Sequence, residues 1–503
     1  TTVHPQLIHA MRRQPAFVAL RERLPAASET VSLAGLAGSS EALLIAALAD
    51  AEPNRLWAYV ARTPGEADAL EADLQTLVGG ERVAFYPQRE SLPYEAAEPH
   101  VEIGGLRVEA LEAVLGGRAH ILVTTLRAVQ ERSDIPSELA ELRLTIRTGE
   151  KVRPRELTER LDAMGFERTA LVEGVGEYAV RGGILDLFGF GAPDPVRVEF
   201  WGDEVASLRG FDILDQRSTR EFERVDVLPV DLRATVAGRG DVARRSLLEV
   251  LPREAVLLLP EEEAVGEELG RTWREVLHLH EAAVKRGQTP EPAERLFLPP
   301  ADALATLSAF GRLRRAHVAH ADIFFEVRPT EDIGRDMDRL SGILRAGAAR
   351  GEDTLILCDN AGQLERLEEI LGGAGALPPR TTLALGSVHE GFVLDGAEPP
   401  VRVLTDHEIF SRARRLRRAR RFRGAVALES LSQLQPGDYV VHLDHGIGRF
   451  RGMEKVEVGG VEIESLAIEY AGGEVLRLPV YRLDLIERWV PDREESDPPP
   501  VHK

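Results

Sequence analysis

Residues 35–51 read GLAGSSEALLIAALADA, a glycine-rich turn followed by an apolar helical pattern. This order is typical of a phosphate-binding loop, which needs G-x-x-x-x-G-K-[ST] so that Lys reaches the phosphates and the hydroxyl binds Mg²⁺. Gly35 and Gly38 supply glycines, but Glu41 stands at the Lys position and Ala42 at the hydroxyl position. Because a carboxylate repels phosphate, we predict a degenerate loop that turns a strand into a helix and binds no nucleotide.

The sequence around this loop alternates short apolar runs with helical patterns. LWAYVA (56–61) and HILVTT (120–125) have the composition of buried strands. PGEADALEADLQTLVGG (64–80) begins with proline and ends with glycine, as helices do. Alternation of this kind predicts a parallel sheet flanked by helices over about the first 140 residues.

The remaining chain changes character three times. From residue 141 short strands dominate, including YAVRGGILDLFGF (178–190), and indicate a small α+β insertion. Residues 335–405 again alternate strands and helices, which predicts a second small α/β domain. After residue 435 Gly-Gly pairs separate alternating strands, so we expect a small all-β barrel. The predicted fold class is therefore multidomain α/β followed by an all-β domain.

Composition excludes several classes of protein. The chain has 503 residues, a net charge of −21 and a single cysteine, Cys358, which sits at the end of an apolar strand pattern and is expected to be a buried thiol. An acidic chain is a poor bulk binder of nucleic acid. No apolar run reaches the roughly 18–20 residues of a membrane span, and no signal peptide is evident, so we expect a cytoplasmic protein without membrane contact.

One segment departs from the acidic character. Residues 411–424, SRARRLRRARRFRG, hold eight arginines and no acidic residue. This basic linker is either a solvated connector or an interaction segment, and both readings stay open. The tail at 492–503 is rich in proline and acidic residues, which is typical of a linker and suggests a chain cut before a further domain.

Signals for catalysis or metal binding are weak. Asp203 and Glu204 are the best candidates for a metal-binding Walker B pair, but Gly202 precedes them and favours a hairpin turn. The three His pairs lack a third ligand, and no G-x-S-x-G motif occurs. We expect no catalytic residue, no metal and no cofactor in this chain.

Two stretches carry features of protein interfaces. In GEYAVRGGILDLF, Arg181 precedes two glycines and Phe188 follows; Arg and aromatic residues are frequent interface anchors, although a turn arginine and a core phenylalanine are at least as compatible with the pattern. In GGEVLRLPVYRL, Leu476, Leu478 and Val480 share one face of a strand and Arg477 takes the other. Pro479 lacks an N–H and favours an edge strand, which can accept a partner strand.

Several longer stretches resemble one family. FYPQRESLPYEAAEPHVEIGGLRVEAL, GEYAVRGGILDLFGFG, VRVEFWGDEVASLRGFDILDQRS, TDHEIF and PGDYVVHLDHGIGRFRGM are similar to the N-terminal half of the bacterial transcription-repair coupling factors (Mfd). The resemblance extends from about residue 15 to 491. It combines a module similar to the repair helicase UvrB with a domain similar to the transcription factor CarD.

The resemblance implies a domain plan. The degenerate, helicase-like domain 1a would span 1–140, the UvrA-binding domain 2 would span 141–215, and domain 1b would span 216–330. The small α/β domain 3 at 335–405, the basic linker at 406–430, the RNA polymerase interaction domain at 431–491 and a linker at 492–503 would follow.

The resemblance also implies partners and residues. UvrA would contact Arg181 and Phe188, and Arg168 is a further candidate although Glu167 directly follows the Gly165-Phe166 pair. The RNA polymerase β subunit would contact Leu476, Arg477 and Pro479. ATP, Mg²⁺ and double-stranded DNA would be bound by the family's translocase motor, which lies C-terminal to this chain.

Two other functions remain as alternatives. A nucleotide-driven repair helicase similar to UvrB would need phosphate binding at 35–42. A CarD-like transcription regulator would act through the β domain and the basic linker alone. The first conflicts with Glu41, and the second leaves more than 300 helicase-like residues unexplained.

Overall fold

The computed structural model describes most of the chain. The described residues are 5–89, 91–95, 101–135, 143–172, 174–190, 192, 194–212, 217–230, 232, 244–372, 377–410, 425–427, 436–442, 446–458, 461–470, 475–479 and 486–489. The chain divides into two compact units, one of residues 1–357 and 375–414 and the other of residues 358–374 and 415–503.

Thirteen α-helices lie within the described residues. They are α1 Pro5–Arg13, α2 Pro15–Glu22, α3 Ser40–Ala51, α4 Pro64–Val78, α5 Val101–Leu115, α6 Leu126–Gln130, α7 Pro154–Ala163, α8 Glu262–Lys285, α9 Ala293–Leu296, α10 Pro300–Ser308, α11 Met337–Ala349, α12 Ala361–Gly372 and α13 Asp406–Ile409.

The strands of the described segments number twenty-eight. They are β1 Thr30–Ala34, β2 Trp57–Ala61, β3 Val83–Tyr86, β4 Ile121–Thr125, β5 Arg132–Ser133, β6 Leu144–Arg147, β7 Glu167–Arg168, β8 Glu177–Arg181, β9 Ile184–Leu187, β10 Val196–Trp201, β11 Glu204–Phe211, β12 Ser218–Phe222, β13 Arg224–Val227, β14 Arg245–Ser246, β15 Val256–Leu259, β16 Gly311–Arg315, β17 Ile323–Phe324, β18 Val327–Pro329, β19 Asp353–Cys358, β20 Thr381–Leu385, β21 Phe392–Leu394, β22 Val401–Thr405, β23 Ala425–Ala427, β24 Tyr439–His442, β25 Gly446–Val458, β26 Val461–Glu469, β27 Val475–Pro479 and β28 Ile486–Trp489.

The largest sheet is a seven-stranded parallel sheet, which confirms the α/β prediction for this region. Its order is β17-β1-β16-β15-β2-β4-β3, and every paired neighbour runs parallel. Trp57 and Tyr59 of β2 point into one apolar cluster, and Ala58 and Val60 point into another. Both faces of the sheet are therefore covered, as parallel sheets require.

The helix that follows residues 35–39 is buried almost all round. Residues 42–48 of α3 are all fully buried, because this helix packs within the larger apolar cluster. The continuous apolar run EALLIAALADA is the sequence cause, since a helix that is apolar on every side is stable only inside a core.

An inserted domain is built on a second sheet. Its order is β12-β11-β10-β9-β8-β7, antiparallel except for the β7–β8 pair. α7 contributes Leu157 and Leu161 to the core on one face. The predicted domain boundary at residue 215 falls inside this sheet, because β12 (218–222) pairs with β11. A separate two-stranded sheet also crosses this boundary, since β13 (224–227) pairs with β6.

A smaller five-stranded sheet follows, with the order β18-β21-β22-β19-β20. β19 and β22 run parallel, whereas β18 and β21 run antiparallel to their neighbours. Cys358 at the end of β19 is buried, as the apolar strand pattern predicts. This sheet begins at Val327, before the predicted boundary at residue 335.

The C-terminal region forms an antiparallel sheet with the order β23-β28-β24-β25-β26-β27. Its core holds Val440, Phe450, Leu466 and Ile468. Among the described residues the sheet has two edges, β23 and β27, rather than the closed ring of a barrel. The predicted linkers at 411–424 and 492–503 lie outside the described residues. None of the described helices has the length and apolarity to cross a membrane.

Candidate functional site

The loop before α3 has the geometry of a tight strand-to-helix turn. Gly35 and Gly38 have φ values of +82° and +53°, in the left-handed region that favours glycine. A Cβ atom at Gly35 would lie 2.1 Å from the carbonyl oxygen of Phe325, and one at Gly38 would lie 2.4 Å from that of Gly391. Both glycines are therefore required by backbone conformation and by close approach of another chain segment.

A second chain segment, residues 387–391, packs against the loop at Gly38 and Ser39. The Ser39 N–H donates to the carbonyl oxygen of Glu390 at 3.1 Å, and the Glu390 N–H donates to Ser39 Oγ at 2.9 Å. The His389 N–H donates to the buried Asp73 carboxylate at 2.7 Å. A loop amide of the kind that binds phosphate in a Walker loop is thus bonded to the protein's own backbone.

Glu41, at the former Lys position, is held in an ion-pair cluster. Arg315, at the end of β16, donates from Nε to Glu41 Oε1 at 2.9 Å and from Nη2 to Oε2 at 2.8 Å. Arg315 also contacts Glu66 and the Tyr59 hydroxyl, and Tyr59 donates to Glu66 Oε1 at 2.7 Å. The bidentate pair fixes both oxygens of Glu41.

Burial and neighbouring charges shift the pKa values of Tyr59, Arg315 and Glu66. Burial raises the pKa of Tyr59, and the nearby Glu41 carboxylate raises it further. Burial alone would lower the pKa of Arg315, but Glu41 and its other acidic partners raise it instead. Burial would raise the pKa of Glu66, but Arg315 lowers it. Glu66 and Arg315 therefore remain ionised together near neutral pH.

The Walker B alternative at Asp203 and Glu204 is wrong. β10 ends at Trp201, which pairs with Glu204 of β11, and Gly202 has φ +64°. These residues form an exposed hairpin turn, as the Gly-Asp pair predicts, and present no carboxylate at the end of a buried strand.

The predicted UvrA-contacting strand carries a three-residue charge network. Arg181 at the end of β8 donates from Nη2 to Asp186 Oδ2 at 2.6 Å, and Arg197 of β10 donates from Nε to Asp186 Oδ1 at 2.8 Å. Asp186 is 1% exposed, whereas the Arg181 side chain is 47% exposed. The guanidinium of Arg181 is thus accessible and held in one orientation.

Phe188 lies in a different environment from Arg181. It is only 5% exposed and packs with Val172, Ala179 and Phe211 in a small apolar cluster. The expectation that Phe188 contacts a partner directly is not supported, because Val172, Ala179 and Phe211 pack against its ring. The core-phenylalanine alternative describes this residue.

Arg168, the third predicted contact, is exposed on the edge strand β7. The register pairs it with Tyr178, which points into the domain core, so Arg168 belongs to the opposite sheet face from Arg181. The structure does not bring the two arginines onto one surface.

The predicted polymerase-contacting strand is an edge strand. β27 pairs with β26 alone within the described residues. Leu476 is half-buried against the core and Leu478 is buried, so the two leucines share a face, whereas Arg477 is exposed and donates to Glu454 Oε2 at 3.0 Å. Pro479 ends the strand opposite Ser465, and Val480 lies outside the described residues.

Sequence reasoning missed the residues that complete these sites. Arg315 and segment 387–391 are hundreds of positions from Glu41, and no local motif marks them. The sequence carries only a weak signal for Arg197. It stands between the apolar Val196 and Val198, so its side chain lies on the opposite face of the strand and needs a polar neighbour there.

Two segments of the chain match models of known protein domains. Residues 144–232 match the model of the UvrB interaction domain, and residues 434–490 match the CarD-like/TRCF RID domain. The chain is thus of the class that joins these two interaction domains.

The chain is also similar to known proteins over nearly its whole length. The chain is 25% identical to the transcription-repair-coupling factor of Bacillus subtilis over 94% of its own length and 46% of the relative's. It is 29% identical to that of Myxococcus xanthus, covering 92% and 46%, and 30% identical to that of Mycobacterium tuberculosis, covering 96% and 46%. The chain spans about half the length of these relatives. The chain is therefore similar to transcription-repair-coupling factors over nearly its whole length.

Proposed function

We propose that this chain is a non-catalytic scaffold that joins transcription to nucleotide excision repair. The β domain at its C-terminal end binds the β subunit of RNA polymerase, and the inserted domain recruits UvrA. The observation that carries the proposal is the presence of both interaction domains in one chain.

The exposed surfaces of the two domains suit this role. Among the described residues the edge strand β27 pairs on one side only, so its other side can take a partner strand, with the exposed Arg477 beside it. The inserted domain offers Arg181, an accessible guanidinium whose orientation is fixed by Asp186. Fixed arginines are frequent interface anchors because little conformational entropy is lost when they bind.

We further propose that the parallel sheet is a degenerate helicase-like domain that hydrolyses no ATP. Glu41 is neutralised by Arg315 and the Ser39 amide is bonded to Glu390, so neither group is available to a phosphate. ATP-driven translocation on double-stranded DNA, and Mg²⁺ binding, are assigned to the rest of the full-length protein. This argues against the nucleotide-driven alternative.

The polymerase contact is tested by reversing the charge of Arg477. Arg477→Glu should weaken binding of the 503-residue chain to the RNA polymerase β subunit at least tenfold, because it replaces an exposed cation on the edge strand with an anion. Leu476→Arg should abolish binding. Binding is measured by calorimetry, and UvrA binding should be unchanged in both variants.

The matched control is Arg451→Glu on β25 of the same domain. Arg451 is 57% exposed and pairs with Glu469 at 3.0 Å, much as Arg477 is 52% exposed and pairs with Glu454 at 3.0 Å. The control should keep polymerase binding. Equal losses in both charge reversals would mean that general electrostatics, rather than the β27 edge, holds the polymerase.

A further inference from the structure

A cavity of about 600 Å³ opens between α1, α3 and the amino edge of the parallel sheet. Arg82, which directly precedes β3, and His120, which directly precedes β4, lie on its lining. The glycine-rich loop follows the carboxyl end of β1, where ligands of open α/β sheets usually bind. Because the cavity lies at the opposite edge of the same parallel sheet, it is not a remnant of a nucleotide site.

The floor of this cavity is apolar. Ile8 of α1, Ala46 and Ala49 of α3, and Leu77 and Val78 at the end of α4 line it. Ile8 and Ala49 are only partly buried, so both have apolar surface left to cover. Apolar surface in a cavity of this size is suited to receive an apolar group of a ligand.

The polar part of the lining is predominantly basic. It consists of His9, Arg12, Arg82, Arg118, His120 and one acidic residue, Asp50. Arg12 and Asp50 form an ion pair at 2.5 Å and so neutralise each other. Within the described residues Arg82 makes no ion pair, which leaves its charge to a ligand.

Arg118 adds to this positive charge. It contacts the carboxylate of Glu112, which is 7% exposed, but Glu112 also contacts Arg143. One carboxylate is therefore shared by two guanidinium groups. The cavity keeps a positive potential beside its apolar floor.

The backbone holds Arg82 and His120 side by side. The His120 N–H donates to the carbonyl oxygen of Arg82 at 3.2 Å, and Val83 and Ile121, the next residues, pair in register. Arg82 is exposed and His120 is half-buried. A carboxylate at this position can pair with the Arg82 guanidinium and accept a hydrogen bond from the His120 ring.

A second cavity, of about 350 Å³, shares Arg12 with the first. Phe17, Val18, Arg21 and Glu22 of α2 complete its lining, and Val18 is 48% exposed. Apolar surface is thus available on both sides of Arg12. An elongated ligand with apolar groups at separate positions fits this arrangement better than a compact one.

The charge of the whole chain sharpens the choice of ligand. The net charge is −21, so an acidic ligand is repelled by most of the surface and attracted where basic side chains line a cavity. A peptide segment supplies the elongated shape, the carboxylates and the apolar side chains together.

We propose that the cavity between α1, α3 and the amino ends of β3 and β4 binds an acidic peptide segment of a partner protein. An apolar side chain of the peptide packs on Ile8 and Ala49, and a carboxylate pairs with Arg82. This site is separate from the surfaces proposed for UvrA and the RNA polymerase β subunit, and binding of those two proteins should not depend on it.

The test is selection of a phage-displayed library of random short peptides on the 503-residue chain, after removal of the phage that bind its Arg82→Glu variant. The enriched peptides should combine acidic and apolar residues. Calorimetry of one such peptide should show at least tenfold weaker binding to Arg82→Glu, and a similar loss in Ala49→Leu, whose larger side chain fills the cavity. The loss in Arg82→Glu should shrink at high salt, whereas the loss in Ala49→Leu should persist.

Arg345→Glu is the matched control, because Arg345 of α11 is exposed and makes no ion pair within the described part of the chain. It should bind the peptide as the wild type does, and Arg82→Glu should keep the wild-type unfolding temperature and UvrA and polymerase binding. A lowered unfolding temperature of Arg82→Glu would assign Arg82 a structural role and overturn the proposal.

Three other results would also overturn it. The first is an absence of enriched peptides, or enrichment of peptides without acidic residues. The second is binding of octanoate as tight as that of the peptide, which would make the cavity a site for small amphipathic acids. The third is conversion of a wild-type dimer to a monomer by Arg82→Glu, which would make a second copy of the chain the occupant.

Discussion

At the scale of single residues, Glu41 gives the glycine-rich loop a structural role. A Lys at this place would point a cation at a phosphate, whereas Glu41 recruits a cation of its own, Arg315, from β16. Glu66 and Tyr59 complete the cluster, so the position where a nucleotide phosphate would sit is used to hold α3, α4 and β16 together. The loop therefore serves to connect β1 to α3.

Restoring the lysine should therefore harm the protein without restoring a nucleotide site. Glu41→Lys places a cation against Arg315, whose partner Glu41 is 18% exposed, and should lower the free energy of unfolding by about 2 kcal/mol or more. Chemical denaturation measures this change. ATP should bind neither the wild type nor the variant in calorimetry, because segment 387–391 still bonds to Ser39.

Glu267→Lys is the control for this charge change. Glu267 is 71% exposed and lies 3.7 Å from Arg62, so its reversal should cost less than about 1 kcal/mol. Micromolar ATP affinity in either protein would contradict the degenerate-loop interpretation.

Single-residue predictions from sequence succeeded where the cause is local. Gly35 and Gly38 adopt the positive φ values that their turn requires, and Ala42 is buried as part of an apolar helix. The partner of Glu41 was not predictable, because Arg315 is 274 positions away and reaches it only after the sheet has formed. The burial of Phe188 was not predictable for the same reason, since Val172 and Phe211 pack against it from other elements.

At the scale of elements, β22 carries a buried arginine that joins three parts of the small α/β sheet. Arg402 is fully buried and donates from Nε to Glu352 Oε1 at 2.6 Å, and it also contacts Glu331. Burial would raise the pKa of Glu331, but the hydrogen bond and charge of Arg402 lower it to about 2. The ionised Glu331 is therefore favoured in the folded chain.

This shift predicts an acid-sensitive contribution to stability. Because the pKa of Glu331 falls from 4.5 to about 2 on folding, its contribution is complete above pH 4.5 and is lost as the pH falls towards 2. Glu331→Gln should be less stable than the wild type at neutral pH, and the difference should vanish near pH 2. Urea denaturation across this pH range measures it.

Glu263→Gln, an exposed carboxylate in the first turn of α8, is the comparison for Glu331→Gln. It should change stability little at neutral pH. A pH-independent difference between the wild type and Glu331→Gln would show that packing, and not ionisation, accounts for the effect.

Elements with local signals were predicted correctly, whereas features that depend on long-range pairing were not. β2, β4, α3 and α4 have apolar patterns and end signals within their own residues, and they formed as predicted. The edge position of β27 followed from Pro479. The boundary at residue 215 was wrong because β13 pairs with β6, about 80 residues earlier, and such pairing leaves no local trace.

At the scale of the whole molecule, the two proposed partner surfaces belong to different compact units. Arg181 lies in the unit of residues 1–357 and 375–414, and β27 lies in the unit of residues 358–374 and 415–503. Each unit has its own apolar core, so a surface change in one should leave the other folded. A scaffold that couples two machines requires this independence.

The chain should therefore hold UvrA and the RNA polymerase β subunit at the same time. We expect light scattering after size exclusion to find a ternary complex with the 503-residue chain and no complex of the two partners without it. Arg181→Glu should leave only the polymerase complex and Arg477→Glu only the UvrA complex, because each removes an anchor from one unit. Should either variant lose both partners, the two surfaces are one cooperative site, and the protein switches between partners instead of bridging them.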